Sequence, residues 1–136
     1  MGERGPAGPR VLLVDDDEEN LALLREVLES EGIEVVGEAA NAGEGLQLAA
    51  VRRPEVVLMD LRMPGMDALE ATRRIRMLEP APEVIILTAY EGLVREPAET
   101  SGAFAYMLKG CSLRFMRDMI FQAARRAVEG PAAPTR

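Results

Sequence analysis

Three stretches of this chain are apolar without interruption: Val11-Leu12-Leu13-Val14, Val56-Val57-Leu58-Met59 and Val84-Ile85-Ile86-Leu87. A strand with one wet face alternates apolar and polar side chains, whereas a strand covered on both faces reads as a continuous apolar run. Segments of helical period separate these runs. Parallel strands need crossover connections, and helices are the crossovers that cover both faces, so the alternation predicts a doubly wound parallel sheet. Each run also leads into polar groups: Asp15-Asp16-Asp17, Asp60 and Thr88. A fourth strand-like run, Ala103 to Leu108, leads into Lys109. Open α/β sheets bind ligands outside the carboxyl ends of their strands, so these groups point to one site.

The spacing places the elements as follows. Arg10 to Asp15 reads as the first strand, and Glu18 to Glu31 as a helix with Leu21, Leu24 and Leu28 on one face, stopped by Gly32. Ile33 to Glu38 is the second strand. Asn41 reads as an N-cap with Glu44 three residues on, opening a helix through Val51. Glu55 to Asp60 is the third strand. Asp67 and Glu70 form a similar pair for a helix to about Met77, with Leu69 and Ile75 inward. Glu83 to Thr88 and Ala103 to Leu108 are strands four and five. Ser112 caps a last helix to about Glu129, with Leu113, Met116, Ile120, Ala123 and Ala127 at helical spacing. Gly92 and Pro97 fall where a helix before the fifth strand belongs; an interior proline costs about 3 kcal/mol, so a short or broken helix is expected there.

The result is one domain over residues 10–129, preceded by a Gly/Pro-rich mobile arm (1–9) and followed by a tail or the start of a linker (130–136). The simplest strand order is 2-1-3-4-5. It sets strands one and three side by side at the switch point, where Asp15, Asp16 and Asp60 would meet.

Composition removes several functions. A net charge of −7 argues against binding a nucleic-acid backbone, which needs basic patches. No apolar run approaches the roughly 20 residues of a membrane span. The single cysteine, Cys111, excludes an internal disulfide and suits a reducing cytoplasm; it reads as a small, semi-buried loop residue. The absence of histidine removes histidine metal sites, Ser-His triads and any phosphohistidine on the chain itself. A divalent metal would have to be held by oxygen, which favours magnesium, calcium or manganese.

Three packed carboxylates repel one another and attract a divalent cation. Neither a G-x-x-x-x-G-K-[ST] nor a G-x-G-x-x-G pattern occurs, so the chain lacks the turns that cradle a tightly held nucleotide. Carboxylates, a hydroxyl and an ammonium around a metal suit a carboxylate nucleophile that accepts a phosphoryl group. Lys109 is the only lysine among sixteen basic residues. An ammonium is a compact point charge for a phosphoryl oxygen, where arginine presents a wide planar fork. Other readings stand beside these: Asp15 to Asp17 can cap the first helix, Thr88 and Tyr106 are ordinary strand residues, and one lysine must fall somewhere.

The residues Val14-Asp15-Asp16, Leu58-Met59-Asp60-Leu61-Arg62-Met63-Pro64-Gly65-Met66-Asp67, Leu87-Thr88-Ala89 and Tyr106-Met107-Leu108-Lys109-Gly110 resemble the receiver domain of two-component response regulators, over roughly Arg10 to Glu129. The run Val35 to Ala39 and the Lys109-Gly110 ending look most like the nitrate-regulator, or LuxR-type, class. The resemblance implies a flavodoxin-like receiver fold. It implies that Asp60 is the phosphoacceptor and that Mg2+ is held by Asp16, Asp60 and the backbone carbonyl of Arg62, with Asp15 acting through water. It also implies that Thr88 and Lys109 bind the phosphoryl group and that Tyr106 turns inward when Thr88 moves. The implied partners are a histidine kinase as phosphodonor and an output domain or partner protein. A second copy of the chain is a further candidate, docking through the fourth-helix, fifth-strand and last-helix face or through the first and last helices. Phe115 and Met119, off the inward stripe, are expected to be exposed on that switching face.

The chain departs from the family in places. Gly110 stands where the family usually has proline in a cis peptide; a non-proline cis bond costs about 2.5–4 kcal/mol, so a trans bond is expected. Ala68 replaces a common glycine. Arg62, two residues past Asp60, and Tyr90, two past Thr88, are large side chains flanking the path of a hydrolytic water. A magnesium-dependent phosphohydrolase with an aspartyl nucleophile is the main rival. Such enzymes carry a second aspartate where Arg62 stands, to protonate the leaving group. A scaffold that is never phosphorylated is the other, and the full set Asp15, Asp16, Asp60, Thr88 and Lys109 argues against it.

Overall fold

The computed structural model describes residues 8–89 and 100–129. Its elements in chain order are β1 (Arg10–Val14), α1 (Glu18–Ser30), β2 (Glu34–Ala39), α2 (Ala42–Arg52), β3 (Val56–Asp60), α3 (Ala68–Ile75), β4 (Glu83–Thr88), β5 (Ala105–Leu108) and α4 (Leu113–Glu129). The five strands form one sheet in the order β2-β1-β3-β4-β5, every pairing parallel. This is the doubly wound parallel order expected from the apolar runs, and it is the flavodoxin-like architecture that the family resemblance implies. The short or broken helix expected around Gly92 and Pro97, and Tyr90, lie in residues 90–99, outside the described residues.

Strand alternation splits the core into two layers. Val11, Leu13, Leu58, Ile85, Leu87 and Met107 face α1 and α4, meeting Leu21, Leu28, Met116, Ile120 and Ala123. Leu12, Val14, Val57, Met59, Val84 and Ile86 face α2 and α3, meeting Ala42, Ala49, Ala68, Ala71 and Ile75. Both faces of β1, β3 and β4 are therefore dry, which is why their sequences do not alternate. The alanine-rich helices on the second face lie close to the sheet: a Cβ on Gly45 would come within 2.9 Å of a Val14 methyl carbon.

Helix ends follow local chemistry. Asn41 accepts from the Glu44 amide at 2.8 Å while the Glu44 carboxylate accepts from the Ala40 amide at 2.9 Å, a reciprocal cap. Asp67 caps α3 through the Leu69 amide. Glu70 does not complete a reciprocal cap, because Arg73 and Arg74 on its own helix hold its carboxylate at 2.7 and 3.0 Å. Ser112 caps α4 as expected. Burial along α4 begins only at Met116, so Leu113, expected inward, is 36% exposed. Phe115 is 49% exposed, whereas Met119 packs partly against the α1 face of the core.

The packed region reaches back past Arg10. Pro9 is buried and its carbonyl accepts from the Glu34 amide at 2.8 Å, so Gly8 and Pro9 are docked rather than part of a loose arm. The Arg10 guanidinium donates to the carbonyls of Arg52 and Arg53. Arg53 ends α2 in a left-handed conformation (φ 52°) that glycine usually takes, and Arg10 binds the carbonyls left open there.

Candidate functional site

The carboxyl ends of β1 and β3 are neighbours, with Val14 opposite Met59, so Asp15 and Asp60 emerge side by side. Asp15 is 3% exposed and Asp60 4% exposed, while Asp16 beside them is open to solvent. Carboxylate oxygens of Asp15, Asp16 and Asp60 lie within 4.8 Å of one another. The turn after β1 is shaped by its own acids: Asp15 Oδ1 accepts from the Asp17 amide at 3.0 Å, and Asp17 caps α1 through the amides of Glu19 and Asn20.

Lys109 reaches this cluster from β5, two strands away. Its Nζ lies 3.1 Å from Asp60 Oδ1 and 3.8 Å from Asp15 Oδ2. The backbone positions it: the Lys109 amide donates to the Thr88 carbonyl at 2.8 Å, extending the β4–β5 ladder by one residue. Gly110 then turns with φ 89°, a left-handed conformation that costs a side-chain-bearing residue energy. Among the described residues the cis peptide is Glu79-Pro80, and Lys109-Gly110 is trans, as expected where glycine replaces proline. Cys111 is half-buried, and burial pushes its thiol up, away from the reactive thiolate.

Burial raises the Asp60 carboxyl above the ordinary carboxylate range. Lys109 pulls it back by hydrogen bonding and attraction, the charge on Asp15 pushes it up further, and the Arg62 amide lowers it slightly. That amide donates to Asp60 Oδ1 at 3.4 Å, folding the chain after β3 back over the carboxylate. The Arg62 side chain is exposed.

Thr88 closes β4 and is buried; Tyr106 lies two residues before the end of β5. By strand parity with Val84 and Ile86, Thr88 belongs to the sheet face that packs α2 and α3, and Tyr106 packs against that same layer. The two therefore share a face, and Lys109, whose amide donates to the Thr88 carbonyl, carries its ammonium to the acids. Asn20 is the site residue that sequence reasoning did not single out: its amide nitrogen lies 3.4 Å from Asp15 Oδ2. A faint cue existed, since it sits three residues into a helix whose cap adjoins Asp15.

Three clustered carboxylates offer only oxygen donors, which fits a hard divalent cation such as Mg2+ rather than zinc or copper. A buried carboxylate held by one ammonium, with an adjacent cation-binding cluster, can act as a nucleophile toward phosphorus.

Residues 11–121 match the family model described as the response regulator receiver domain. The chain is 40% identical over 118 residues to the transcriptional regulatory protein LiaR of Bacillus subtilis, covering 85% of this chain and 56% of that protein. It is 37% identical over 135 residues to the transcriptional regulatory protein PdtaR of Mycobacterium tuberculosis, covering 93% of this chain and 65% of that protein. The chain thus spans between half and two thirds of the length of these relatives. Among solved structures it is similar to a LuxR-family two-component response regulator from Aurantimonas, with a TM-score of 0.80 and 33% identity over 87% of this chain and 86% of that one.

Proposed function

This chain belongs to the response regulator receiver domain family, and we propose that Asp60 is the residue on which it accepts a phosphoryl group. It is a receiver domain of two-component response regulators, with LuxR-type regulators among its relatives. The observation that carries the proposal is the buried Asp60 carboxylate, 3.1 Å from the sole lysine and grouped with two further acids.

The donor is a phosphohistidine on a partner kinase, or a small acyl phosphate. An Asp60 oxygen attacks phosphorus, the donor departs as leaving group, and an acyl phosphate remains on β3. Asp15, Asp16, Asp60 and the Arg62 carbonyl would hold Mg2+, which when bound supplies positive charge against the crowded carboxylate and phosphoryl oxygens. Lys109 neutralises Asp60 before transfer and turns to a phosphoryl oxygen afterward. The Thr88 hydroxyl donates to another. Loading from acetyl phosphate should reach one phosphoryl group per chain with Mg2+ present and stop with a chelator; loading that ignores the chelator contradicts the assignment. The chemistry is confined to the phosphorylation and dephosphorylation of the domain itself, which serves signalling rather than the turnover of an independent substrate.

The output face is proposed to be the segment between β4 and β5 together with β5 and α4. Thr88 and Tyr106 share one side of the sheet, so a displacement of Thr88 toward the phosphoryl group is felt by Tyr106 beside it. A partner kinase, an output domain or partner protein outside this chain and a second copy of the chain are the partners that this reading supplies, in a reducing cytoplasm. Beryllofluoride with Mg2+ should change hydrogen exchange along 89–109 and α4 more than along β1 or β3. A change confined to α1 and α2 would contradict this face.

Arg62 is proposed to lengthen the phosphorylated state. Its side chain begins beside the carboxylate cluster and can lie across the path of an attacking water, while its carbonyl serves the cation whatever the side chain is. The dephosphorylation half-life of Arg62→Asn and Arg62→Ala should be several-fold shorter than that of wild type, with Mg2+ binding nearly unchanged. An unchanged half-life in both ends the idea.

A further inference from the structure

We propose that Asn20 is a positioning residue of this site: its side-chain amide holds the Asp15 carboxylate in the orientation from which it serves the divalent cation. The proposal rests on the phosphoryl-accepting reading above and assigns a role to a residue outside the acid, hydroxyl and ammonium set.

Asp15 is almost completely buried, and a buried carboxylate must find donors for both oxygens. Oδ1 takes the Asp17 amide at 3.0 Å. Oδ2 faces two candidates of different kind: the neutral Asn20 amide at 3.4 Å and the Lys109 ammonium at 3.8 Å. The two have different consequences for a cation. Lys109 neutralises the carboxylate and is the group that must leave for the phosphoryl oxygen. Asn20 satisfies an oxygen while leaving the full negative charge in place, so the attraction for a cation survives. A basic residue at position 20 would compete with the cation, and an acidic one would repel Asp15.

The local fold explains why position 20 can do this. Asp17 caps α1 by accepting from the amides of Glu19 and Asn20 at 3.0 and 3.4 Å, which fixes the backbone of the first turn. Side chains on a helix lean toward its N-terminus, so the Asn20 amide is directed back at the turn that carries Asp15. The same short turn thus presents Asp15 to the sheet end, caps the helix and returns an amide to the carboxylate. When Lys109 turns toward the phosphoryl group, the Asp17 and Asn20 contacts remain to keep Asp15 from rotating.

The test uses Asn20→Ala and Asn20→Leu, the second keeping the bulk while removing the donor. Both residues are good helix formers, so α1 is retained. Titration calorimetry of the unphosphorylated full chain with Mg2+ should show affinity weakened about three- to tenfold in both variants, the effect of losing one hydrogen bond of ordinary strength, as suits a contact of 3.4 Å. The Mg2+ concentration for half-maximal loading from acetyl phosphate should rise by the same factor, with the wild-type rate recovered at saturating Mg2+. Affinity unchanged in both variants overturns the proposal, even if thermal stability falls. So does a rate that stays low at saturating Mg2+, which would put Asn20 in the transfer step itself. Wild-type protein that neither binds Mg2+ nor accepts a phosphoryl group would sink the reading of the site, a failure distinguishable from that of Asn20 alone.

Discussion

Lys109→Arg is expected to keep the charge at the site and lose most of its use, with phosphoryl loading slowed about ten- to hundredfold. The ammonium sits 3.1 Å from Asp60 and 3.8 Å from Asp15 with about a third of its side chain exposed, a position that a small ion can hold and leave. A guanidinium is wider and presents its donors in a fixed plane. It would bind the two carboxylates as a fork, occupy the space a cation needs and be slow to release Asp60. Mg2+ affinity should therefore fall together with the loading rate. Loading kinetics from acetyl phosphate across a Mg2+ series will separate these effects. A variant equal to wild type in rate, Mg2+ dependence and partner response would show that the single lysine carries no special information.

Asp60→Asn is expected to stabilise the metal-free protein, by about 0.5–2 kcal/mol, because it removes a buried charge that the fold holds at a cost. The sign follows from the raised Asp60 carboxyl, whose leading cause is burial. Between the ordinary carboxylate value and the raised folded value, the folded chain binds more protons at this residue than the unfolded chain. Stability attributable to Asp60 then falls as pH rises through that window. The gain from Asn should accordingly be small in acid and grow with rising pH until Asp60 is fully ionised in the fold. Mg2+ should shrink the gap, since it stabilises the wild type by binding the native state. Urea unfolding of both proteins at several pH values, with and without Mg2+, measures this. A variant less stable than wild type above the acid range would mean that the Lys109 pair outweighs the burial cost.

The parts of the fold that rest on period and topology were legible in the sequence. The unbroken runs of β1, β3 and β4 could only be strands covered on both sides, and the order that follows brings Asp15, Asp16 and Asp60 together. The caps Asn41, Asp67 and Ser112 were visible because a side-chain oxygen before a helical pattern has one obvious use. What escaped depends on choices among nearby partners. Glu70 could cap or pair, and two arginines one turn along its own helix outbid the amide. Leu113 has the right period but lies in a first turn that projects past the covered surface. Asn20 matters only through a contact across the β1–α1 turn, where no repeating period leads the eye. Strand ends shifted by a residue or two, since ladder hydrogen bonds rather than hydropathy set them.

The central claim is that Asp60 alone takes the phosphoryl group, and peptide mapping by mass spectrometry tests it most directly. Wild type and Asp60→Asn are incubated with acetyl phosphate and Mg2+, and the acyl phosphate is trapped by borohydride reduction before digestion. The account predicts a single modified residue, Asp60, in the wild type and none in the variant. A trapped phosphoryl site at Asp15 or Asp16, or loading that persists in Asp60→Asn, would contradict it.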